Sequence, residues 1–159
     1  MKQITFVCTA NKCRSAVSQA IMTGLLKNNQ ITDVVVNSVG TKDLQEKERD
    51  GTMMRIAMGY GYQMDGECTY MNKEILDAAD LILVMEYGHL VKVQQLVNYH
   101  QYGKIRLFMD YCFGKDVPVN DPSHMPENEY VKTFKLIEEG CKIILKRLKE
   151  SSRDSDLNF

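Results

Sequence analysis

The chain has 159 residues, 44% hydrophobic and 26% charged, with a formal net charge of −1. This is the size and composition of one globular domain, and the near-zero charge argues against a nucleic-acid or anionic-membrane partner. No apolar run approaches the roughly 20 residues a membrane span needs, and the opening "MKQITFVC" is too short and polar for a signal peptide, so a cytoplasmic protein is expected.

Gln3–Cys8 ("QITFVC") is a β-rich run that stops at polar loop residues. From Ser15 the period becomes helical, with Val17, Ile21, Leu25 and Leu26 on one face and "KNNQ" at its end. Asp33–Thr41 reads as a second strand entering a turn, followed by a charged loop and a weakly helical stretch at Thr52–Ala57. Asn72 caps a short helix over Asn72–Ala79, and Asp80–Met85, nearly all apolar, reads as a strand buried on both faces. His89–Tyr99 is expected to be helical, Lys104–Met109 a fourth strand, and Asp110–Pro126, which holds all three prolines, a loop. Tyr130, Phe134, Ile137, Cys141, Ile144 and Leu148 recur at helical spacing and define the last helix, which Pro126 introduces. The strand–helix alternation predicts an α/β fold: three α/β/α layers around a doubly wound sheet of four parallel strands, flavodoxin-like in topology. Residues 1–150 are expected to form a single domain and residues 151–159 a flexible tail.

The chemistry concentrates in "VCTANKCRS" (Val7–Ser15). Five cysteines at scattered positions 8, 13, 68, 112 and 141 do not make a disulfide framework, and with no C-x-x-C or C-x-x-H pair a zinc clip is not expected. A loop that leaves a parallel strand and enters a helix instead turns backbone N–H groups and the positive helix end toward an anion. Arg14 adds a bidentate fork for an oxyanion. Cys8 at the base of the loop lies where these groups favour a thiolate nucleophile, and Asn11 tolerates the left-handed backbone a tight loop needs. The spacing alone is weak evidence, because Cys141 and Arg147 repeat it inside the last helix. There they point about 240° apart, so Cys141 is expected to be a core cysteine. Displacing an alkoxide or phenoxide from phosphorus requires a proton donor, and Asp121 in "VNDPSHM" follows the fourth strand toward the same sheet edge.

These segments resemble the low-molecular-weight protein tyrosine phosphatases. "VCTANKCRS" is similar to that family's phosphate loop, "NSVGT" (Asn37–Thr41) to its second-strand segment, "LILVMEYGHL" to its third strand and "VNDPSH" to its acid loop. The resemblance implies hydrolysis of phosphotyrosine in proteins, and of small aryl phosphates, through a phosphocysteine on Cys8. Arg14 and the loop Thr9, Ala10, Asn11, Lys12 and Cys13 would bind phosphate, with Asp121 as acid and base and Ser15 assisting the sulfur. Asn11 and Ser38 would brace the loop, and Cys13 would be a redox partner of Cys8. The implied partners are tyrosine-phosphorylated proteins; phosphate, vanadate and tungstate would inhibit; no metal or cofactor is expected.

The sequence departs from the family at several positions. Ala10 stands for a loop glycine, Lys12 for a small or apolar residue and Glu86 for an aspartate. Gly66 stands near a bracing histidine, so the Asn11–Ser38 network is expected to lack a member. Ser123 and His124 replace aromatic residues of the acid loop, and Leu44 or Gln45 an aromatic on the opposite wall. With Lys12 these define the expected pocket rim. Three other readings share the loop. A phosphate-binding module on a degenerate scaffold is motivated by Ala10, Gly66 and Ser123. A thiol-dependent arsenate reductase needs relay cysteines, and none occurs from Met85 to Tyr111. An arginine phosphatase usually carries threonine at the position of Lys12.

Overall fold

The computed structural model describes residues 1–156. Strands β1 (Lys2–Cys8), β2 (Val34–Gly40), β3 (Leu81–Val84) and β4 (Ile105–Leu107) form one parallel sheet in the order β2-β1-β3-β4. They alternate with helices α1 (Arg14–Asn28), α2 (Gly51–Gly59), α3 (Lys73–Ala78), α4 (Tyr87–Gln94), α5 (Phe108–Phe113) and α6 (Glu127–Asp156). This is the predicted four-stranded parallel α/β arrangement. The chain moves from β1 to β2 on one side and crosses to β3 and β4 on the other. The switch therefore falls at β1, and the crevice beyond its carboxyl end is where such sheets bind ligands.

The apolar runs of β1 and β3 follow from burial on both faces. Ile4, Phe6 and Leu83 pack on one side with Ile21 of α1, Phe108 of α5 and Phe134, Ile137 and Cys141 of α6. Val7, Ile82 and Val84 pack on the other with Leu76 of α3 and Val93 of α4. Successive strand residues point to opposite faces, so a strand covered on both sides is apolar at nearly every position; the buried polar side chain of β1, Thr5, donates to Asn37 Oδ1 at 2.5 Å. The α6 periodicity appears as read: Tyr130, Phe134, Ile137, Cys141 and Ile144 are all buried. Cys141 is fully enclosed and its thiol approaches the Ser18 carbonyl at 3.9 Å, while Arg147 lies over the Tyr111 ring, 4.9 Å from its centroid. The second C-x5-R pair is thus a core residue and a surface residue.

Three boundaries differ from the sequence reading. Phe108 and Met109 end no strand; they open α5, inside the segment read as strand and loop. Phe108, Met109 and Cys112 share one buried helical face, and Gly114, at φ 65°, ends the helix in the left-handed conformation. The helix expected over His89–Tyr99 stops at Gln94, and Tyr99–Lys104 forms a 3₁₀ segment. Finally, α6 continues through Asp156, so residues 151–156 are helical where a flexible tail was expected; no glycine or proline after Gly140 interrupts it. The remainder of that segment, residues 157–159, lies outside the described residues.

The contact of α5 with α6 depends on Gly140. A Cβ there would fall 2.3 Å from Cζ and 2.6 Å from Cε1 of Phe108, which is fully buried. Gly140→Ala is expected to destabilise the fold by about 1–3 kcal/mol through overpacking, read as a lowered midpoint in urea with an unchanged slope.

Candidate active site

The turn Thr9–Cys13 joins β1 to α1 at the switch point. Its carbonyls are drawn outward: Cys8 accepts from the Thr41 N–H at 3.0 Å, Thr9 from Lys42 at 2.9 Å and Lys12 from Asp50 at 2.9 Å. The loop's N–H groups are thereby left for the cavity that Cys8, Thr9, Ala10, Lys12, Cys13 and Arg14 line. No side chain caps α1, whose first-turn N–H groups also open toward the loop.

Asn11 carries the turn. It is fully buried and left-handed, at φ 58°, a conformation asparagine tolerates. Its Nδ2 donates to Ser15 Oγ at 2.8 Å and to Ser38 Oγ at 2.9 Å, and its Oδ1 accepts from the Thr69 N–H at 2.9 Å. Ser38 in turn donates to Gln19 Oε1 at 2.5 Å. The network expected to lack a member at Gly66 is therefore closed by a backbone amide and a glutamine. Gly66 itself sits at φ 84°, where a side chain would be strained. Arg49 fills the neighbouring space: it donates to the Glu67 carbonyl at 2.8 Å, while its buried Nε and Nη1 have no partner among the described residues. Burial holds its pKa below the usual value.

Cys8 is 3% exposed and forms the floor of the cavity. Its Sγ lies 2.9 Å from Ser15 Oγ. Ser15 Oγ accepts from Asn11 and has two acceptors for its one proton, the Cys8 sulfur at 2.9 Å and the Val39 carbonyl at 3.4 Å, of which the sulfur is the nearer. Cys13, on the same loop, is buried, and burial followed by the Asp50 charge raises its pKa, so it stays a thiol. All five cysteines are unpaired here.

The Arg14 guanidinium is also buried. Nη1 donates to the Val119 carbonyl at 2.8 Å and faces Glu86 Oε1 at 3.4 Å; Nη2 faces Asp121 Oδ2 at 3.8 Å. Val119 is tied to the end of β3, its N–H donating to the Met85 carbonyl at 2.8 Å, and this docks the acid loop over the site. Asp121 closes a short turn by accepting the Ser123 N–H at 3.0 Å. Partial burial raises its pKa, but the Ser123 hydrogen bonds and the charges of Arg14 and His124 outweigh that, leaving it below the ordinary carboxylate value.

The cavity holds about 580 Å³. Ser123, His124, Leu44 and Glu46 line it, whereas Gln45, exposed and left-handed at φ 55°, does not. Lys12 pairs with Glu46 across the rim, which raises the lysine pKa. Tyr130 is both core and wall: its ring is buried and its hydroxyl donates to Asp50 Oδ2 at 3.0 Å. Asp50 caps α2 through the Met53 N–H at 2.9 Å. Sequence reasoning missed Glu46, Asp50 and the Arg14 contacts of Glu86 and Val119. Of these only Asp50, followed by a helical stretch, carried a local signal, that of an N-cap. No group of three or more potential metal-ligating side chains occurs among the described residues, and no described helix is long and apolar enough to cross a membrane.

Among relatives, protein-tyrosine-phosphatase PtpA of Staphylococcus epidermidis is 28% identical over 143 residues, 89% of this chain and 90% of that protein. The structure superposes on a low molecular weight phosphotyrosine phosphatase of Vibrio cholerae with a TM-score of 0.89 at 22% identity, covering 95% and 99% of the two chains. It also superposes on the YwlE arginine phosphatase of Geobacillus stearothermophilus with a TM-score of 0.86 at 23% identity, covering 97% of each chain. At these identities the two structures establish the fold. Residues 3–154 match the family described as low molecular weight phosphotyrosine protein phosphatase, and with match, fold and site in agreement, the chain belongs to that family.

Proposed function

We propose that the protein is a cysteine-dependent phosphatase that hydrolyses phosphotyrosine in proteins. The observation that carries this reading is a buried thiol at the floor of a cavity that Arg14, the loop residues and Asp121 also line. A phosphorus atom reaches such a floor on a long aryl stem, with Tyr130, Leu44 and His124 as walls, more readily than on a short serine side chain.

In the first step the Cys8 thiolate attacks phosphorus, the bond to the phenolic oxygen breaks, and Asp121 gives that oxygen its proton. Arg14 and the amides from Thr9 to Arg14 hold the equatorial oxygens, where charge spreads in the transition state. In the second step Asp121, now a carboxylate, takes a proton from water as the water attacks the phosphocysteine. The Cys8 thiolate leaves, receiving the Ser15 hydroxyl's hydrogen bond. Phosphate, vanadate and tungstate would compete for the same cradle. Cys13, on the same loop, would condense with a sulfenic acid on Cys8, releasing water and forming a disulfide. A working thiolate also suits a reducing compartment, which supports the cytoplasm.

Asp121 gives the reading a pH signature. The protonated form is the acid, and the free carboxyl is held low, so the competent fraction grows as pH falls. For an aryl phosphate with a poor leaving group, kcat/KM is expected to rise from about pH 8 to about pH 6. Asp121→Asn should flatten that rise and cost about 10²-fold or more with a poor leaving group, but much less with p-nitrophenyl phosphate. Stopped assays across pH with both substrates check this.

The carboxylates of Glu46, Asp50 and Asp121 on the cavity favour a second reading, a cationic phosphoarginine substrate. Lys12 and Tyr130 already engage the first two, which supports tyrosine. Matched phosphotyrosine, phosphoserine and phosphoarginine peptides test the choice: turnover highest on phosphotyrosine is expected, and turnover highest on phosphoarginine would replace this reading with the second.

A further inference from the structure

Of the three histidines, only His89 is buried. It lies in the first turn of α4, beyond the end of β3, and does not line the cavity. Its Nδ1 accepts the Glu86 N–H at 3.1 Å. That nitrogen therefore keeps its lone pair, and the neutral ring carries its proton on Nε2. Nε2 lies 2.9 Å from Thr9 Oγ1 and 3.3 Å from Glu86 Oε2, while the other oxygen of Glu86 faces Arg14 at 3.4 Å. Thr9 directly follows the Cys8 nucleophile.

We infer that His89 is a positioning residue for the phosphate loop: it donates from Nε2 to Thr9 and flanks the carboxylate that faces Arg14, so one buried imidazole registers both halves of the oxyanion cradle. The inference rests on the phosphatase reading for its kinetic consequences but not for its geometry.

The wider geometry fits. Asn11 ties the loop to Ser38 and Thr69 on the β2 side. Nothing in the loop's own sequence fixes its other flank, where the β3–α4 junction approaches, and the Thr9–His89 bond supplies that second anchor. Burial, and secondarily the Arg14 charge, push the His89 pKa down to about 4. The ring is then neutral near pH 7 and presents one donor and one acceptor, as the contacts require.

His89 also caps α4, so removing it outright would confuse positioning with folding. Two isosteric substitutions separate the roles. In His89→Asn the amide oxygen takes the place of Nδ1, keeping the bond from Glu86 N–H but falling short of Thr9. In His89→Gln the amide nitrogen takes the place of Nε2, keeping the bond to Thr9. His89→Asn is expected to melt with wild type yet bind inorganic phosphate about tenfold more weakly by calorimetry and lose about tenfold in kcat, the upper range for one neutral hydrogen bond. His89→Gln should stay within about twofold of wild type in both even if its melting temperature falls. Thr9→Val should reproduce the His89→Asn loss, and the double variant should lose no more than either single.

The inference is overturned if His89→Asn or Thr9→Val keeps wild-type phosphate affinity and kcat, or if their losses add. Should His89→Asn not fold, Thr9→Val with wild-type values still overturns it. Failure of the phosphatase reading shows separately, as wild-type protein that binds phosphate but turns over no aryl ester.

Discussion

Cys8→Ser is expected to lower turnover of an aryl phosphate by roughly 10⁴-fold or more, the scale on which loss of a nucleophile is felt, while inorganic phosphate still binds. The hydroxyl occupies nearly the same volume at the cavity floor but stays protonated, and a neutral alcohol oxygen is a far weaker nucleophile toward phosphorus than a thiolate. The binding elements do not depend on the sulfur. The Arg14 guanidinium is fixed by Val119, and the loop carbonyls by Thr41, Lys42 and Asp50. Steady-state kinetics with calorimetric titration of phosphate separates the two effects. Turnover that survives the substitution would mean that another group attacks phosphorus.

Gly40→Ala is the second large effect, and it arises outside the loop. Gly40 is the last residue of β2 and pairs with Cys8 across the sheet. A Cβ there would fall 2.7 Å from the Thr9 carbonyl oxygen, 2.8 Å from Ala10 C and 2.9 Å from Asn11 N. All three are backbone atoms of the phosphate loop, so no side-chain rotation relieves the clash. Gly40 has no room to retreat either, since its N–H donates to Thr69 and its carbonyl accepts from Met71. The loop must move, and its amides move with it. Displacement by a fraction of an ångström to 1 Å is expected to cost about 10²-fold in kcat/KM, with weaker phosphate binding and about 1–3 kcal/mol of stability. Wild-type kinetics in a folded Gly40→Ala protein would show that the loop does not depend on this contact.

The contacts behind these two effects differ in how visible they are in the sequence. The β1–loop–α1 unit was legible because everything it needs is local: an apolar strand, a polar turn with Asn11 in the left-handed position, and a helical period beginning at once. The α6 stripe was legible for the same reason. The α5 helix was not, because six residues hold too few turns for a period to show, and its marker, Gly114, stands in a proline-rich stretch that reads as loop. The end of α6 was misplaced because serine and aspartate lower helix propensity without stopping a helix already propagating.

The surroundings of the site were the least legible. Ser38, Gly40 and Thr69 reach the loop from the β2 side, and Glu86, His89 and Val119 from the β3 side; these are neighbours only because β1 lies between β2 and β3. Gly66 taught a related lesson. A residue missing from one position suggested a gap in the Asn11 network, yet a backbone amide of Thr69 fills it, and backbone donors leave no mark on residue identity.

A covalent phosphoenzyme on Cys8 can be trapped. Asp121→Asn protein mixed with p-nitrophenyl phosphate should release nitrophenol without needing the acid, then stall, because no carboxylate activates water. A burst of nitrophenol equal to the enzyme present is expected and, after quenching and peptide mapping, one phosphoryl group on the peptide carrying Cys8. Nitrophenol released with no burst and no phosphoryl group on Cys8, or with the group on another residue, would contradict a phosphoenzyme on Cys8.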